Sequence, residues 1–296
     1  MLIAVSSFNT QLKLYLQLGK FRLCLLVLFT ALIGYGLGVS QFNIVAFTSF
    51  LLGTLLCAMG ANGLNQWWEK ERDSKMVRTR NRPIPSRRMS SNHALMAAST
   101  WSVLGLLLLF VAVNHLTALL AFITLVSYLL IYTPIKPHSP IAVLFGAIPG
   151  AIPPMMGWSA ATGTLSTEAW ILACVLFVWQ IPHFMSLATI YQQDYDKGGY
   201  RLLPDNPEFD SATRSIIMVF SLALLSITTL APAMGLGNNL FFTGALILGG
   251  VMLWLSIKLY KQYSIINARL VFRASIFYIP ILMILLLVDE RGLSFF

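Results

Sequence analysis

Apolar stretches of about twenty residues recur along the whole chain, with polar links of different lengths between them. A helix of this length crosses a hydrocarbon core of about 30 Å. Strands of a membrane β-barrel would be shorter and would alternate in polarity. Pro153 and Pro154 should break or kink the fifth helix. The pattern predicts one all-α membrane domain over residues 1–296, a bundle of about nine transmembrane helices at 21–39, 44–63, 95–113, 116–132, 141–161, 169–190, 215–235, 240–257 and 274–288.

The composition agrees with a membrane location. Hydrophobic residues make up 57% of the chain and charged residues 10%, and the mean hydropathy is +0.75. These values are typical of membrane proteins and leave no segment for a soluble domain. Cys24, Cys57 and Cys174 fall within predicted helices and far apart in sequence, so we predict neither a disulfide framework nor a structural zinc site.

Basic residues predict the orientation, because Lys and Arg in short loops are retained on the cytoplasmic side. Alternating the loops places nineteen of the twenty basic residues on one side, and only Arg291 on the other. We therefore predict a multi-pass protein of the inner (cytoplasmic) membrane, with a cytoplasmic N-terminus and a C-terminus on the far side. The formal charge of +9 then reflects this topology and some capacity for diphosphate, and we expect no nucleic-acid partner.

Two cytoplasmic segments, 64–93 and 191–213, carry eight of the eleven carboxylates and much of the positive charge. Connections longer than a helical bundle requires usually carry function. The links on the far side are short and nearly featureless. We therefore predict that these two segments are active-site loops on the cytoplasmic side.

The first segment contains oxygen ligands at a helical spacing. If the second membrane helix continues, Asn65, Glu69 and Asp73 lie along one stripe that drifts only about 40° per step. Such ligands suit Mg²⁺, which shares its coordination with substrate phosphates, and Arg78 and Arg82 follow as phosphate-binding groups. The alternative is a positive-inside loop whose acids only balance its bases. The regular stripe at a membrane boundary favours a site, since ionisable groups there need partners.

The second segment places another carboxylate cluster on the same membrane face, with Asp194, Asp196 and Lys197 close together. Two such clusters can hold two Mg²⁺ ions around one diphosphate, and Lys197 adds countercharge. The structural alternative is that one of the two aspartates caps a helix end and that the following Gly198-Gly199 pair forms a turn.

Three stretches resemble a known family. The family is that of the protohaem IX farnesyltransferases (haem O synthases), which belong to the UbiA superfamily of intramembrane prenyltransferases. Its first signature resembles a stretch of this chain and is matched by Asn65, Glu69, Asp73, Met76, Arg78, Thr79, Arg82 and Pro83. Residues 132–158 are similar to the family's central segment, and residues 179–199 to its second signature. Quinone-type relatives usually carry Asp where Gln66 stands here, which favours the haem branch. The segment after Lys136 is less basic than is usual in the family.

The resemblance implies a reaction and a set of site residues. The expected reaction joins the farnesyl group of farnesyl diphosphate to a vinyl group of haem B, giving haem O, with Mg²⁺ as the cofactor. The metal ligands implied are Asn65, Glu69, Asp73, Asp194 and Asp196, and all but the last are expected to act in catalysis. The implied diphosphate ligands are Arg78, Arg82, Lys136 and Lys197. Candidates for stabilising the allylic cation or lining the substrate pocket are Tyr128, Tyr132, Trp158, His183 and Tyr195.

Other interpretations stay open at this point. A prenyltransferase acting on an aromatic quinone precursor would share most of these residues. A transporter would also suit nine helices, but it should place its ionisable residues near the bilayer midplane and show related halves. The resemblance further implies a lipid bilayer as the surroundings and transient contact with haem A synthase or a terminal oxidase.

Overall fold

A computed structural model describes residues 2–203 and 210–292, and helices account for most of both ranges. Part of the second predicted loop, 204–209, lies outside the described residues. Two turns interrupt the α-helices: a π-helical turn at Ser127–Tyr132 and a 3₁₀ turn at Ala231–Met234. The α-helices are α1 Leu2–Leu18, α2 Phe21–Gly38, α3 Ile44–Lys75, α4 Ser91–Ala112, α5 His115–Val126, α6 Thr133–Ile135, α7 Ala142–Ala151, α8 Pro153–Thr162, α9 Thr167–Ile190, α10 Gln192–Lys197, α11 Asp210–Leu230, α12 Asn239–Lys261 and α13 Ile265–Arg291.

The predicted multi-pass architecture is confirmed. Among the described residues, eight helical segments are long and apolar enough to cross a membrane. The predicted fifth span consists instead of α7 and α8, two ten-residue helices that meet at Ile152. Pro153 and Pro154 begin α8 and explain the interruption, because proline lacks an N–H and its ring clashes with the preceding turn. End to end, the two helices still extend for about 32 Å.

Two helical segments depart from the predicted elements. The first predicted loop, 64–93, is not a loop throughout, because α3 continues to Lys75 as a single helix of 32 residues. The second departure is α1, which precedes the first predicted span. Leu14 and Leu18 of α1 are buried in a small cluster with Ile84 and Met89, so α1 packs on the segment that follows α3.

The helices form a bundle in which α3 packs on α4, α2 packs on α8, and α9 contacts α7, α11 and α13. α13 also contacts α2. The Arg291 side chain at the end of α13 donates a hydrogen bond to the Leu37 carbonyl at the end of α2. Lys20, at the start of α2, instead bonds to Asn65. The end of α13 therefore lies on the opposite side of the bundle from Lys20.

Glycine allows α2 and α8 to approach each other closely. A Cβ atom placed on Gly157 would lie 1.8 Å from the Ala31 carbonyl oxygen, and one on Gly34 would lie 2.0 Å from the Pro154 carbonyl oxygen. These are backbone contacts, so no side-chain rearrangement relieves them. Small residues have this role at many interfaces between membrane helices.

We predict that Gly157→Ala lowers the free energy of unfolding by about 1 to 3 kcal/mol, since the added methyl group forces α2 and α8 apart. The measurement is thermal melting of the full chain in detergent micelles. Gly250→Ala is the matched control, because a Cβ atom on Gly250 meets no atom within 4 Å. Equal melting temperatures for the two variants would contradict this account of the interface.

Candidate active site

A cavity of about 160 Å³ lies at the end of the bundle where α2 begins. Its charged and amide-bearing lining residues come from α3, from the segment after α3, from Lys20 and from Lys136. α7, α9 and the segment after α10 contribute an apolar lining of Val143, Phe184, Leu187 and Leu202. The cavity therefore offers charge and apolar surface to one molecule.

The predicted polar stripe of α3 lines this cavity. Because α3 remains helical beyond residue 63, Asn65, Glu69 and Asp73 recur every four residues on one face of the helix. All three are buried, with exposed fractions of 2%, 4% and 0%. A buried carboxylate needs compensating partners, so the other elements must supply positive charge here.

Each residue of the stripe is paired with a cationic side chain. The Lys136 Nζ atom lies 3.1 and 3.3 Å from the two carboxylate oxygens of Glu69. The Arg82 guanidinium lies 2.5 Å from Asp73 Oδ2, and the Lys20 ammonium donates to Asn65 Oδ1 at 3.2 Å. These bonds join α3 to three separate segments of the chain, so the cavity depends on the tertiary structure.

The π-helical turn orients one aromatic wall of the cavity. Its second and last residues, Tyr128 and Tyr132, form a stacked pair with ring centroids 5.4 Å apart. The Tyr128 carbonyl accepts a hydrogen bond from the Thr133 hydroxyl at 2.8 Å, and Thr133 in turn accepts one from the Asn65 amide at 3.3 Å. Single π turns of this kind are frequent at functional sites. Tyr195 adds a third tyrosine to the lining.

The cavity carries an excess of positive charge. Four cationic side chains line it, Lys20, Arg78, Arg82 and Lys136, against the two carboxylates of α3. Removal from water lowers the pKa of Lys20 to about 7, and the charge of Arg82 acts in the same direction. Burial also disfavours the Lys136 ammonium, but Glu69 and the nearby tyrosines outweigh it and hold the pKa of Lys136 well above its usual range. Arg78, Arg82 and Lys136 outnumber the two carboxylates even without Lys20, so the cavity favours an anionic ligand.

The α3 stripe also suits a divalent cation. Asp73 Oδ1 is buried and accepts no hydrogen bond, so one carboxylate oxygen at the cavity lacks a partner. In the described part of the chain, no three His, Cys, Asp or Glu side chains lie close enough to share a metal ion. Two carboxylates and an amide would therefore leave coordination positions for phosphate oxygens and water. That donor set fits Mg²⁺ and differs from the ligands of zinc.

The second carboxylate cluster lies outside the cavity. The Asp194 carboxylate accepts hydrogen bonds from the backbone N–H groups of Val77 at 2.7 Å and Arg78 at 3.1 Å. Asp196 and Lys197 are exposed on α10. Their metal and diphosphate roles stay predictions, and the structure gives the Asp194 oxygens other partners.

Trp158 and His183 also lie away from the cavity. Trp158 packs near Gly38, at the opposite end of α2 from Lys20 and about 27 Å along that helix. The His183 ring stacks on Trp179, with ring centroids 4.8 Å apart, and its Nδ1 atom lies 2.8 Å from Ser275 Oγ. His183 therefore faces α13.

The structure adds two residues that the sequence did not single out as site residues. Lys20 entered only the count of basic residues, although its position directly before the first span, on the predicted cytoplasmic side, was a usable signal. Tyr200 is 2% exposed, and the Lys136 ammonium lies 4.4 Å from the centre of its ring. The Arg72 guanidinium also lies near this ring, 5.5 Å from its centre. No sequence pattern indicated Tyr200.

The comparisons with known proteins define the class. Residues 27–279 match the UbiA prenyltransferase family, and the chain belongs to this family. The protoheme IX farnesyltransferase of Solibacter usitatus (strain Ellin6076) is 37% identical over 290 residues, which cover 94% of this chain and 99% of that protein. That of Bordetella pertussis (strain Tohama I) is 38% identical over 283 residues, 94% of each chain.

Solved structures share the fold. A structure described for digeranylgeranylglyceryl phosphate synthase in membranes has a TM-score of 0.81 and 17% identity, and covers 96% of this chain and 100% of that one. A UbiA homolog from Archaeoglobus fulgidus bound to GPP and Mg²⁺ has a TM-score of 0.63 and 12% identity, with 92% and 99% covered. At these identities the likeness concerns the fold alone.

We predict that Lys136→Met lowers the free energy of unfolding by roughly 3 kcal/mol, because it leaves the buried Glu69 carboxylate without its closest cation. Thermal melting in detergent micelles measures the change. Lys75→Met, at an exposed position on the same side of the bundle, is the control. Adding Glu69→Gln to Lys136→Met should restore much of the loss, and an equally unstable double variant would show that the pair is not the cause.

Proposed function

We propose that this chain transfers the farnesyl group of farnesyl diphosphate to a vinyl group of haem B, giving haem O. The observation that carries the proposal is the α3 stripe of Asn65, Glu69 and Asp73, which faces four cationic side chains across one cavity. This arrangement suits an anion bound together with a divalent cation. The acceptor is inferred from the relatives, which are named protoheme IX farnesyltransferase and align over about nine-tenths of the chain.

Asn65, Glu69 and Asp73 would hold Mg²⁺, with the unpartnered Asp73 Oδ1 as its first ligand. When bound there, Mg²⁺ would neutralise the charge that develops on the departing diphosphate. The UbiA homolog solved with GPP and Mg²⁺ has this fold and supports the choice of metal. Arg78, Arg82 and Lys136 would bind the phosphate oxygens that do not coordinate Mg²⁺, and we add Lys20 to this group.

The bond that breaks joins the farnesyl C1 atom to the diphosphate oxygen, and its electron pair leaves with the diphosphate. The vinyl π electrons of haem B form the new carbon–carbon bond to C1. Water adds to the resulting cation and releases a proton, which completes a hydroxyethylfarnesyl side chain. No covalent bond to the enzyme is required, so the chain contributes binding, charge and shelter from water.

The allylic cation must react with haem before it reacts with water, since early hydrolysis yields only farnesol. Tyr128 and Tyr132 offer stacked π faces at the cavity, and Tyr195 a third. Phe184 and Leu187 contribute apolar surface suited to the farnesyl chain. We place no cation-stabilising role on Trp158 or His183, because neither lines the cavity.

We further propose that the cavity opens to the cytoplasm in the inner membrane. Lys20 and Lys136 line the cavity and belong to the side that carries nineteen of the twenty basic residues. Asp196 and Lys197, exposed on α10, would contribute charge at this face. Transient contact with haem A synthase or a terminal oxidase belongs to the same proposal, since haem O must be passed on within the membrane.

A quinone precursor is the second candidate acceptor. Gln66 stands where quinone-type relatives usually carry an aspartate, and its amide is buried against the end of α1. It donates hydrogen bonds to the carbonyls of Gln17 at 2.9 Å and Leu18 at 2.7 Å. An amide engaged with the backbone in this way supplies no additional carboxylate to a metal. This observation favours haem over the aromatic acceptors.

We predict that the purified chain forms haem O from haem B, farnesyl diphosphate and Mg²⁺, and that EDTA abolishes the product. Asp73→Asn should lower the rate by at least about 100-fold, because it weakens metal binding where negative charge develops. Haem O formation is measured by chromatography of extracted haems. Glu71→Gln, an exposed carboxylate on the same helix, is the control and should retain activity.

Two outcomes would overturn the assignment. Prenylation of 4-hydroxybenzoate without any haem O would move the chain to the quinone-type enzymes. The second outcome is that farnesyl diphosphate stays intact with every acceptor while the chain carries a solute across liposome membranes. That result would support a transporter.

A further inference from the structure

The segments that follow α3 and α9 are joined by hydrogen bonds at the cytoplasmic end of the cavity. Asp194 Oδ1 accepts from the Val77 N–H at 2.7 Å, and Asp194 Oδ2 accepts from the Arg78 N–H at 3.1 Å. These N–H groups lie just beyond the end of α3 at Lys75. One carboxylate thus binds two consecutive peptide groups, one with each oxygen.

In a second contact, a side chain of α3 donates hydrogen bonds to the backbone of the segment after α10. The Arg72 guanidinium, on the last turn of α3, donates to the carbonyls of Gly198 at 3.1 Å and Gly199 at 2.7 Å. Met76 packs against Gly198 so closely that a Cβ atom there would lie 2.9 Å from the Met76 sulfur. Each segment therefore supplies a charged side chain to the backbone of the other, which fixes their relative position.

This arrangement determines where the Arg78 side chain lies. Its guanidinium donates to the Tyr195 hydroxyl at 3.2 Å and stacks 5.4 Å from the centre of the Tyr191 ring and 5.5 Å from that of Tyr195. From there Arg78 lines the cavity. A long side chain on an untethered segment would lose conformational entropy when it binds an anion, and pre-ordering removes part of that cost.

We infer that Asp194 is a positioning residue, which holds the backbone of Val77 and Arg78 so that the Arg78 guanidinium faces the bound diphosphate. In this role it is not a metal ligand. Turning its oxygens to a metal would leave two N–H groups without their acceptors, at a cost in free energy. The inference rests on the proposed function for the identity of the anion.

The test uses Asp194→Asn, which keeps the side-chain size but replaces one acceptor oxygen with a donor. The full chain in lipid nanodiscs is titrated with inorganic pyrophosphate, and separately with Mn²⁺ followed by electron paramagnetic resonance. We expect pyrophosphate affinity to fall and the KM for farnesyl diphosphate to rise by about tenfold, with a smaller change in kcat. Mn²⁺ affinity and stoichiometry should stay as in the unmodified chain, whereas Asp73→Asn should weaken Mn²⁺ binding.

A double-mutant cycle shows whether Asp194 acts through Arg78. Arg78→Gln alone should weaken pyrophosphate binding. The double variant Arg78→Gln/Asp194→Asn should bind pyrophosphate as well as Arg78→Gln does, since the group that Asp194 positions is already absent. Glu71→Gln, the same type of change on an exposed side chain, controls for loss of one negative charge. Fully additive effects would overturn the inference.

Hydrogen exchange of the unmodified chain tests the contact without any variant. The amides of Val77 and Arg78 should exchange slowly in the absence of metal, and fast exchange there would contradict the inference. Loss of Mn²⁺ affinity or stoichiometry in Asp194→Asn would make Asp194 a metal ligand and would also overturn it. None of these binding measurements uses haem, so their outcome is independent of haem O formation. If the chain makes no haem O but gives all the expected binding results, the proposed function is refuted and the positioning role of Asp194 is supported.

Discussion

Burial of two carboxylates at the end of α3 is the constraint on which the cavity depends. Glu69 and Asp73 are held away from water by the membrane bundle and by the segments around it, and such groups are unstable without nearby positive charge. Lys136 and Arg82 come from different parts of the chain to meet them. The charge of α3 therefore organises the fold at this end of the bundle.

The same charges are suited to catalysis because, after they pair with one another, a carboxylate oxygen and positive charge are left to bind ligands. Asp73 keeps one oxygen without a hydrogen bond, and the cationic side chains outnumber the carboxylates around the cavity. A diphosphate with a divalent cation would satisfy both sets of groups at once. Apolar residues of α7 and α9 line the same cavity, so the ionic site and a sheltered site for a carbocation adjoin each other.

Local periodicity made the helices and the α3 stripe predictable, because residues four apart on a helix share a face whatever the tertiary structure. The break at Pro153 follows equally from local chemistry. Trp158 was expected in the substrate pocket but lies away from the cavity. The predicted topology already argued against that expectation, since Trp158 lies near the end of a span that begins after Lys136. His183 precedes Phe184 by one residue, and that step of about 100° turns it from the cavity towards α13.

Long-range contacts were beyond such reasoning. The hydrogen bonds from backbone N–H groups to Asp194 join residues more than 110 positions apart, and they depend on how α3 and α9 pack. A carboxylate near a glycine turn has the same sequence pattern whether it binds metal or backbone. The contribution of Lys20 depends on the turn between α1 and α2, which brings its ammonium to Asn65.

A structure of the chain with Mn²⁺ and a non-reactive farnesyl diphosphate analogue tests the central claim most directly, because the anomalous signal locates the metal. We predict manganese at coordination distance from Asp73 Oδ1, next to Asn65 and Glu69, with the diphosphate contacted by Arg78 and Arg82. Manganese bound elsewhere, or a diphosphate remote from α3, would contradict the account.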